Sequence, residues 1–455
     1  MQTVALPSNP VPEVTWDSVL GPHVWVFYTA FLIAFIFTPV MQSIAMYYNI
    51  VDQPDRLRKL HSQPVAYLGG VAVFIGWVAG LAMSQFHLPE DGIGVSHLEV
   101  KLSIVAGGGL ICILGLWDDL RRLRPIYKIT GQIVAALILL SQGVGLHSLS
   151  PVIEPLIPRL ATVTGVHLSV SHGVVEVFSA VFVVLVVVGC CNATNLLDGL
   201  DGLCGGVTAV IAAGFLFLAV HLATVYTTNE LDPLSELNPV RIVLALALLG
   251  AVLGFVPFNF NPASIFMGDT GSMFLGYACA TMIVSLAEEN AKWLLAAMVM
   301  FALPILDTTL AFARRWVNRR PLFSADRHHF HHQLVDRGYS VRKTVLISYG
   351  LAFGFCFLGT LIAYMRTRYA VAFYLVTFGS IIVAAYKMGM VHEKPRVVSR
   401  MPLGVSNSVV DASVPPVPGD VLDLQPPATT TANQAKPNPR PDTAGPSDIA
   451  GVMGK

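Results

Sequence analysis

Asp118 and Asp119 stand side by side in "GLWDDLRRLRP" (residues 115–125), and Asn192, Asn195, Asp198 and Asp201 recur every third residue in "NATNLLDGLDGL" (192–203). A further acid, Asp269, sits beside glycine in "FNFNPASIFMGDTGS" (258–272), and His328, His329, His331 and His332 crowd beside Arg327 in "RRPLFSADRHHFHHQL" (319–334). Oxygen ligands of this kind hold hard cations such as Mg²⁺. Arginine-rich clusters hold phosphate.

Each group has a bland reading beside the chemical one. Asp118 and Asp119 are a solvated helix end facing Arg121 and Arg122, worth little at a surface, or a pair that holds a hard cation or divides into a base and a metal partner. Asn192 and Asn195 occupy neighbouring positions on a helix that Gly199 and Gly202 end. That is a polar C-terminal cap or, since a cap usually needs one Gly or Asn, an oxygen-rich helix end suited to Mg²⁺ and the polar parts of a nucleotide. Asp269, followed by Thr270, Gly271 and Ser272, is an N-cap worth about 1 kcal/mol or a metal ligand beside backbone amides that attract anions.

The neighbouring Arg319, Arg320 and Arg327 favour a phosphate or pyrophosphate site for the histidines. Zinc, with no cysteine near, is the lesser reading, and a solvated loop is the third. In "DQPDRLRKLHSQPVAYLGG" (52–70), Arg56 and Arg58 anchor topology, while Lys59 and His61 are candidates for holding a nucleotide diphosphate. Asp307 in "LPILDTT" is either an intramembrane functional acid or a group hydrogen-bonded to adjacent threonines near a kink at Pro304.

The elements that must position these groups follow from composition. The chain has 455 residues, 54% hydrophobic and 12% charged, with a mean hydropathy of +0.64, which marks an all-α polytopic membrane protein. Crossing about 30 Å of hydrocarbon takes roughly 20 apolar residues. About eleven runs qualify: 23–47, 67–86, 100–117, 128–147, 175–197, 203–226, 239–258, 270–288, 292–313, 344–365 and 369–390. Cys112, Cys190, Cys191, Cys204, Cys279 and Cys356 lie in such runs without paired spacing and read as small buried hydrophobes.

Residues 1–22 hold two acids and no Lys or Arg, unlike a signal peptide with its basic start, and are expected outside. The opposite loops then collect Arg56, Arg58, Lys59, Arg121, Arg122, Arg124, Lys128 and eight basic residues from Arg314 to Lys343. This positive-inside asymmetry predicts a cytoplasmic C-terminus and puts all five polar motifs on the cytoplasmic side. An Asp at mid-membrane costs about 2.5 to 3.5 kcal/mol, so acids gathered at one face point to one shared site.

The alternation in "VHLSVSH" predicts a short outside β-hairpin within residues 147–174. The Pro-, Ser- and Thr-rich end predicts a disordered cytoplasmic tail. The resulting domain reading is an outside segment 1–22, a polytopic core 23–393 and a tail 394–455.

In this order and spacing the five motifs resemble those of the polyprenyl-phosphate N-acetylhexosamine-1-phosphate transferase superfamily, glycosyltransferase family 4, over roughly residues 25–390. "DRHHFHH" is similar to the DRxHxHH pattern of the WecA/TagO-type enzymes, which use UDP-N-acetylglucosamine, more than to the uninterrupted histidine run of the MraY-type enzymes. "NATNLLDGLDGL" and "IFMGDTGS" are shared by both branches. His328 and the long tail depart from the pattern.

The resemblance implies an enzyme of the bacterial inner (plasma) membrane with a cytoplasmic active site. It would transfer a sugar-1-phosphate, foremost N-acetylglucosamine-1-phosphate, from a UDP-sugar to undecaprenyl phosphate. UMP is released, Mg²⁺ or Mn²⁺ is required, and the product feeds cell-envelope polysaccharide such as O-antigen. It further implies Asp269 as metal ligand, Asn195 in the metal shell, and Asp118 and Asp119 as further metal or base candidates. His329, His331 and His332 complete the catalytic candidates. Lys59, His61, Asn192, Asn195, Asp198, Asp201 and Arg327 form the substrate-binding set.

Expected partners are a UDP-N-acetylhexosamine, undecaprenyl phosphate and membrane lipid, with a homodimer as an option and no nucleic acid. The competing readings are a phospho-N-acetylmuramoyl-pentapeptide transferase and a lipid flippase or transporter. A transporter needs access from both sides and sites near the midplane, often in repeats. Here the motifs share one side and no repeat is visible.

Overall fold

In hydrocarbon a backbone can satisfy its N–H and C=O groups only internally, so long apolar runs fold as helices. The computed structural model describes residues 15–52, 64–86, 100–165, 171–226, 237–319 and 329–387. The chain begins with α1 (Trp16–Leu20), a 3₁₀ turn (Gly21–His23), α2 (Val24–Tyr47), β1 (Val51–Asp52), β2 (Val65–Ala66) and α3 (Gly69–Met83). It continues through α4 (Leu102–Arg121), α5 (Pro125–Ser141), α6 (Ser150–Ile153), α7 (Leu156–Thr164), α8 (His172–Leu197), α9 (Leu203–Tyr226) and α10 (Leu237–Asn259). Last come α11 (Gly268–Ala287), α12 (Ala291–Met300), α13 (Ala302–Val317), α14 (Phe330–Asp336), α15 (Val341–Tyr364) and α16 (Thr367–Lys387).

Among the described residues seven helices are long and apolar enough to cross a membrane, eight if the bent pair α12 and α13 forms one span. The protein is a multi-pass membrane protein. Where they are described, the eleven apolar runs fall mostly on helix, but α3, α5 and the apolar part of α16 are shorter than a full span. The expected hairpin region consists, where it is described, of turns and of helix in α6, α7 and the start of α8, while residues 166–170 lie outside the described residues. So do residues 1–14, and residues 388–455 with the expected tail.

Packing follows small residues. On α2 the buried Val26, Ala30, Ala34 and Thr38 recur every fourth position and so share one face. Ala30 and Ala34 meet Gly76 and Gly80 of α3 and Gly250 and Gly254 of α10, the close approach that small residues allow between membrane helices. The opposite face of α2 presents Trp25, Tyr28, Leu32, Phe35 and Ile36, an apolar surface suited to lipid.

At the centre stands α11, buried along almost its whole length and packed against α3, α4, α8, α9, α10 and α12. Gly115 lets α4 approach it closely, since a Cβ there would overlap the Thr270 backbone. At the far end of α11, Arg241 of α10 is paired with Glu289 at 2.6 Å, so a buried charge is compensated. All six cysteines are free and buried, as expected.

Two local features set the site. The β1 and β2 strands pair antiparallel, and Ala66 also bridges Ile265 in parallel. Phe266 N donates to Ala66 O at 2.7 Å, and Gly69 N and Gly70 N donate to Phe266 O and Met267 O, both at 3.0 Å. The end of the first polar motif is thereby stitched to the loop before α11. The second feature is the 73° bend between α12 and α13. The break falls at Phe301, just upstream of Pro304, whose ring cannot accommodate the carbonyl of Met300 four residues back in a continuous helix.

Candidate active site

The acids collect where α4 ends, α5 begins, α8 ends and α11 begins. Helix α4 terminates with Arg122 in the left-handed region at φ 49°, its N–H bonded to Asp118 O. Asp118 Oδ1 accepts from Leu123 N at 2.6 Å, which turns the chain into α5. Lys128, in the first turn of α5, places its ammonium 2.7 Å from Asp269 Oδ2 and also in contact with Asp118 Oδ2. Two carboxylates thus converge on one cation-sized position.

Asp119 faces the other way. Its Oδ1 accepts from Asp269 N at 2.8 Å, and its Oδ2 accepts from Thr270 N at 3.0 Å and Thr270 Oγ1 at 2.6 Å. The first N–H groups of a helix have no partners within it, so Asp119 caps α11 from a neighbouring helix. Asp269 is therefore not the cap of its own helix. Its carboxylate is turned outward, where Asn195 Nδ2 donates to Oδ1 at 2.7 Å and to Ser272 Oγ at 3.0 Å.

The amides and acids of "NATNLLDGLDGL" divide in the same manner. Asn192 Nδ2 donates to Gln132 Oε1 at 2.8 Å and to Val188 O at 2.7 Å, which ties α8 to α5. Asp201 Oδ2 accepts from Asn261 Nδ2 at 2.9 Å and Ala263 N at 3.1 Å, holding the loop that leads to Asp269. Asp198 lies at the end of α8 on the cleft wall. Burial, then the charges of Asp269, Asp119 and Asp201, push its carboxyl up to about 8.

The histidines are split by depth. His332 lines the cleft, whereas His329 and His331 are buried behind it. His331 packs against Gly199 so closely that a Cβ there would collide with Nε2, which explains the glycine. Both ring nitrogens of His331 are buried without a hydrogen-bond partner among the described residues. Burial, and after it the neighbouring His332, lower its pKa to about 3, so the ring is neutral near pH 7. Of the two readings of Asp307, the bond to an adjacent threonine is not the one formed: His329 Nδ1 lies 3.0 Å from one carboxylate oxygen, and Phe330 N donates to the other at 2.8 Å.

Of these groups Asn195, Asp198, Asp201, Asp269 and His332 line a cleft of about 860 Å³, together with Tyr67. Desolvation, then the charge of Asp52, pushes the Tyr67 hydroxyl pKa up, so it remains a neutral donor. Asp118, Asp119, Asn195 and Asp269 are brought together in one cluster. Lys59, His61, Arg327 and His328 lie outside the described residues.

Lys128 was legible only as a topological charge, because ten residues and a turn separate it from Asp118. Among the described residues no three acids, histidines or cysteines form a ready-made metal site. The donor chemistry nevertheless fits Mg²⁺, which is commonly held by one or two protein carboxylates with substrate phosphates completing its shell.

Comparison with known proteins bears directly on this cluster. Residues 101–287, which contain Asp118, Asn195 and Asp269, match the model of glycosyl transferase family 4. The chain is 32% identical over 373 residues to the probable undecaprenyl-phosphate N-acetylglucosaminyl 1-phosphate transferase of Bacillus subtilis (strain 168), covering 81% of this chain and 92% of that protein. It is 34% identical over 335 residues to the decaprenyl-phosphate N-acetylglucosaminephosphotransferase of Mycolicibacterium smegmatis, covering 70% and 77%. A phospho-N-acetylmuramoyl-pentapeptide-transferase of Bacillus licheniformis is 28% identical over 333 residues, covering 70% and 90%. With Asp118, Asn195 and Asp269 gathered within the matched region and the likeness extending over nearly the whole Bacillus subtilis relative, the chain belongs to glycosyl transferase family 4, in the polyprenyl-phosphate N-acetylhexosamine-1-phosphate transferase superfamily.

Proposed function

We propose that the protein transfers N-acetylglucosamine-1-phosphate from UDP-N-acetylglucosamine to undecaprenyl phosphate and releases UMP, as the first membrane step of a cell-envelope polysaccharide. The observation that carries this reading is the meeting of Asp118 and Asp269 on one cation, with Asn195 beside them, at a cleft walled by Asp198, Asp201 and His332. The names of the more similar relatives support the sugar.

In the reaction an oxygen of the lipid phosphate attacks the β-phosphorus of the UDP-sugar. A new P–O bond forms there while the bond from β-phosphorus to the bridging oxygen breaks, and UMP leaves with that electron pair. Positioning and charge neutralisation dominate such transfers. A phosphate monoester is already ionised near neutral pH, so no strong base is required. When bound, Mg²⁺ supplies neutralisation of the diphosphate charge; Asp118 and Asp269, with Asn195 beside them, would hold it.

The remaining residues act through placement. Asp119 orients Asp269 by capping α11, and Asp201 holds the preceding loop against the turn between α8 and α9. Asp198 and Asn192 belong to the nucleotide-sugar side. His332, together with Arg327, Lys59 and His61, meets the diphosphate, while neutral His331 supports the turn at Gly199. The eleven-span topology, with residues 1–22 outside and the tail 394–455 in the cytoplasm, sets the cleft at the cytoplasmic face of a bacterial inner membrane. There a soluble nucleotide sugar can meet a lipid that never leaves the bilayer.

A donor panel tests the substrate. Membranes containing the protein, supplied with undecaprenyl phosphate and Mg²⁺, should form lipid-linked sugar from UDP-N-acetylglucosamine in preference to UDP-N-acetylmuramoyl-pentapeptide. Preference for the pentapeptide donor would move the protein to the other branch, and no product from any UDP-N-acetylhexosamine would exclude the enzyme.

A further inference from the structure

Asp307 is an acid close to the site that the proposed reaction leaves unused. It lies in the second turn of α13 and is 3% exposed. The neighbouring Thr308 Oγ1 is buried with no partner among the described residues, so the carboxylate is not spent on its own helix. Both of its oxygens instead cross to the histidine motif, one to the His329 ring and one to the first N–H of α14.

A carboxylate only accepts hydrogen bonds, so the proton in the contact with His329 lies on Nδ1. The ring is then fixed in orientation, and Nε2 is the nitrogen left for other partners. The second contact matters equally. Phe330 N is one of the donors that the start of a helix leaves unsatisfied, so Asp307 sets both the ring and the helix that carries His331 and His332. The bend between α12 and α13 brings α13 to this position.

We propose that Asp307 is a positioning residue for the transfer: it locks the His329 ring, with Nδ1–H toward α13, and thereby registers the histidine motif against the cleft. This rests on reading that motif as a phosphate-binding element. Asparagine is the informative replacement, because its single oxygen can serve Phe330 N–H or His329 Nδ1–H but not both. A residue that merely capped α14 would be replaced by asparagine with little effect.

The test is a double-variant cycle on purified enzyme, with kcat/KM for UDP-N-acetylglucosamine measured by radiolabel and melting temperature measured in parallel. Asp307→Asn should lower kcat/KM at least about tenfold while the protein melts within a few degrees of wild type. In a His329→Ala background the same replacement should lower kcat/KM by no more than about threefold further, since coupled residues are non-additive. Asp307→Asn with kcat/KM near wild type overturns the proposal, as does a loss that multiplies fully with that of His329→Ala. A loss confined to melting temperature also overturns it and leaves only a cap. An inactive wild type would instead sink the transferase reading, and this proposal with it.

Discussion

The Lys128 ammonium lies 2.7 Å from Asp269 Oδ2 and also touches Asp118, so a single cation holds the end of α4 to the start of α11. Without it two largely desolvated carboxylates would face each other with no counter-charge, a situation costing several kcal/mol when a buried pair is broken. Lys128→Met is therefore expected to melt lower than wild type in chelator. Mg²⁺ should restore it by a larger shift than it gives the wild type, because the ion then takes over the compensation. A thermal melt in detergent with and without Mg²⁺ measures this. Equal shifts in the two proteins would mean that the carboxylates do not share a cation position.

Asp119 should behave in the opposite way. Its three hydrogen bonds hold the first residues of α11, and loss of a cap of this kind costs about 1 to 2 kcal/mol. Asp119→Ala should therefore lower the melting temperature whether or not Mg²⁺ is present, and lower activity by misplacing Asp269. If Mg²⁺ rescued its stability as it should rescue that of Lys128→Met, Asp119 would belong among the metal ligands instead.

The approach of Gly199 to His331 gives a suppressor test. Gly199→Ala would drive a methyl group into the buried imidazole, and overpacking of this sort typically costs about 1 to 3 kcal/mol. A second change, His331→Ala, opens the space again. The double variant should melt higher than Gly199→Ala alone, and failure of that recovery would show that the two residues do not press on each other.

The same histidine predicts an acid dependence. Its folded-state pKa is lowered to about 3 from an ordinary 6.5, mainly by burial. Between those values the unfolded chain binds the proton and the folded chain does not, so this group's contribution is complete above about pH 6.5 and shrinks as pH falls toward 3. Other groups also titrate there, so the informative quantity is a difference. The melting temperature of His331→Asn should fall less than that of wild type between pH 7 and pH 5. Parallel curves would place the ring in solvent.

What the sequence made legible follows from how local each signal was. Apolar length revealed the helices, and the clustering of Asp118, Asn195 and Asp269 at one end followed from alternating spans, since hydrophobicity and charge asymmetry are read directly from residue order. The alternation in "VHLSVSH" was weaker, and the described residues around it are helical. Individual roles were the least visible. Asp118 and Asp119 are neighbours in sequence, yet one faces Lys128 and the other caps α11, because adjacent helical residues point about 100° apart. Lys128 and Asp307 acquire their partners only through tertiary packing, across a turn in one case and from α13 to α14 in the other.

The central claim is that Asp269 serves transfer of a phosphosugar, not of the sugar alone. It is tested most directly by giving membranes UDP-N-acetylglucosamine labelled at the β-phosphorus, with undecaprenyl phosphate and Mg²⁺. Wild type should move the label into the lipid fraction and release unlabelled UMP. Asp269→Asn, inserted and melting normally, should lose this activity by about a hundredfold or more, the order seen when an electrostatic group acting on the transition state is removed. Label remaining with the nucleotide while the sugar moves to lipid, or near-normal transfer by Asp269→Asn, would contradict the account.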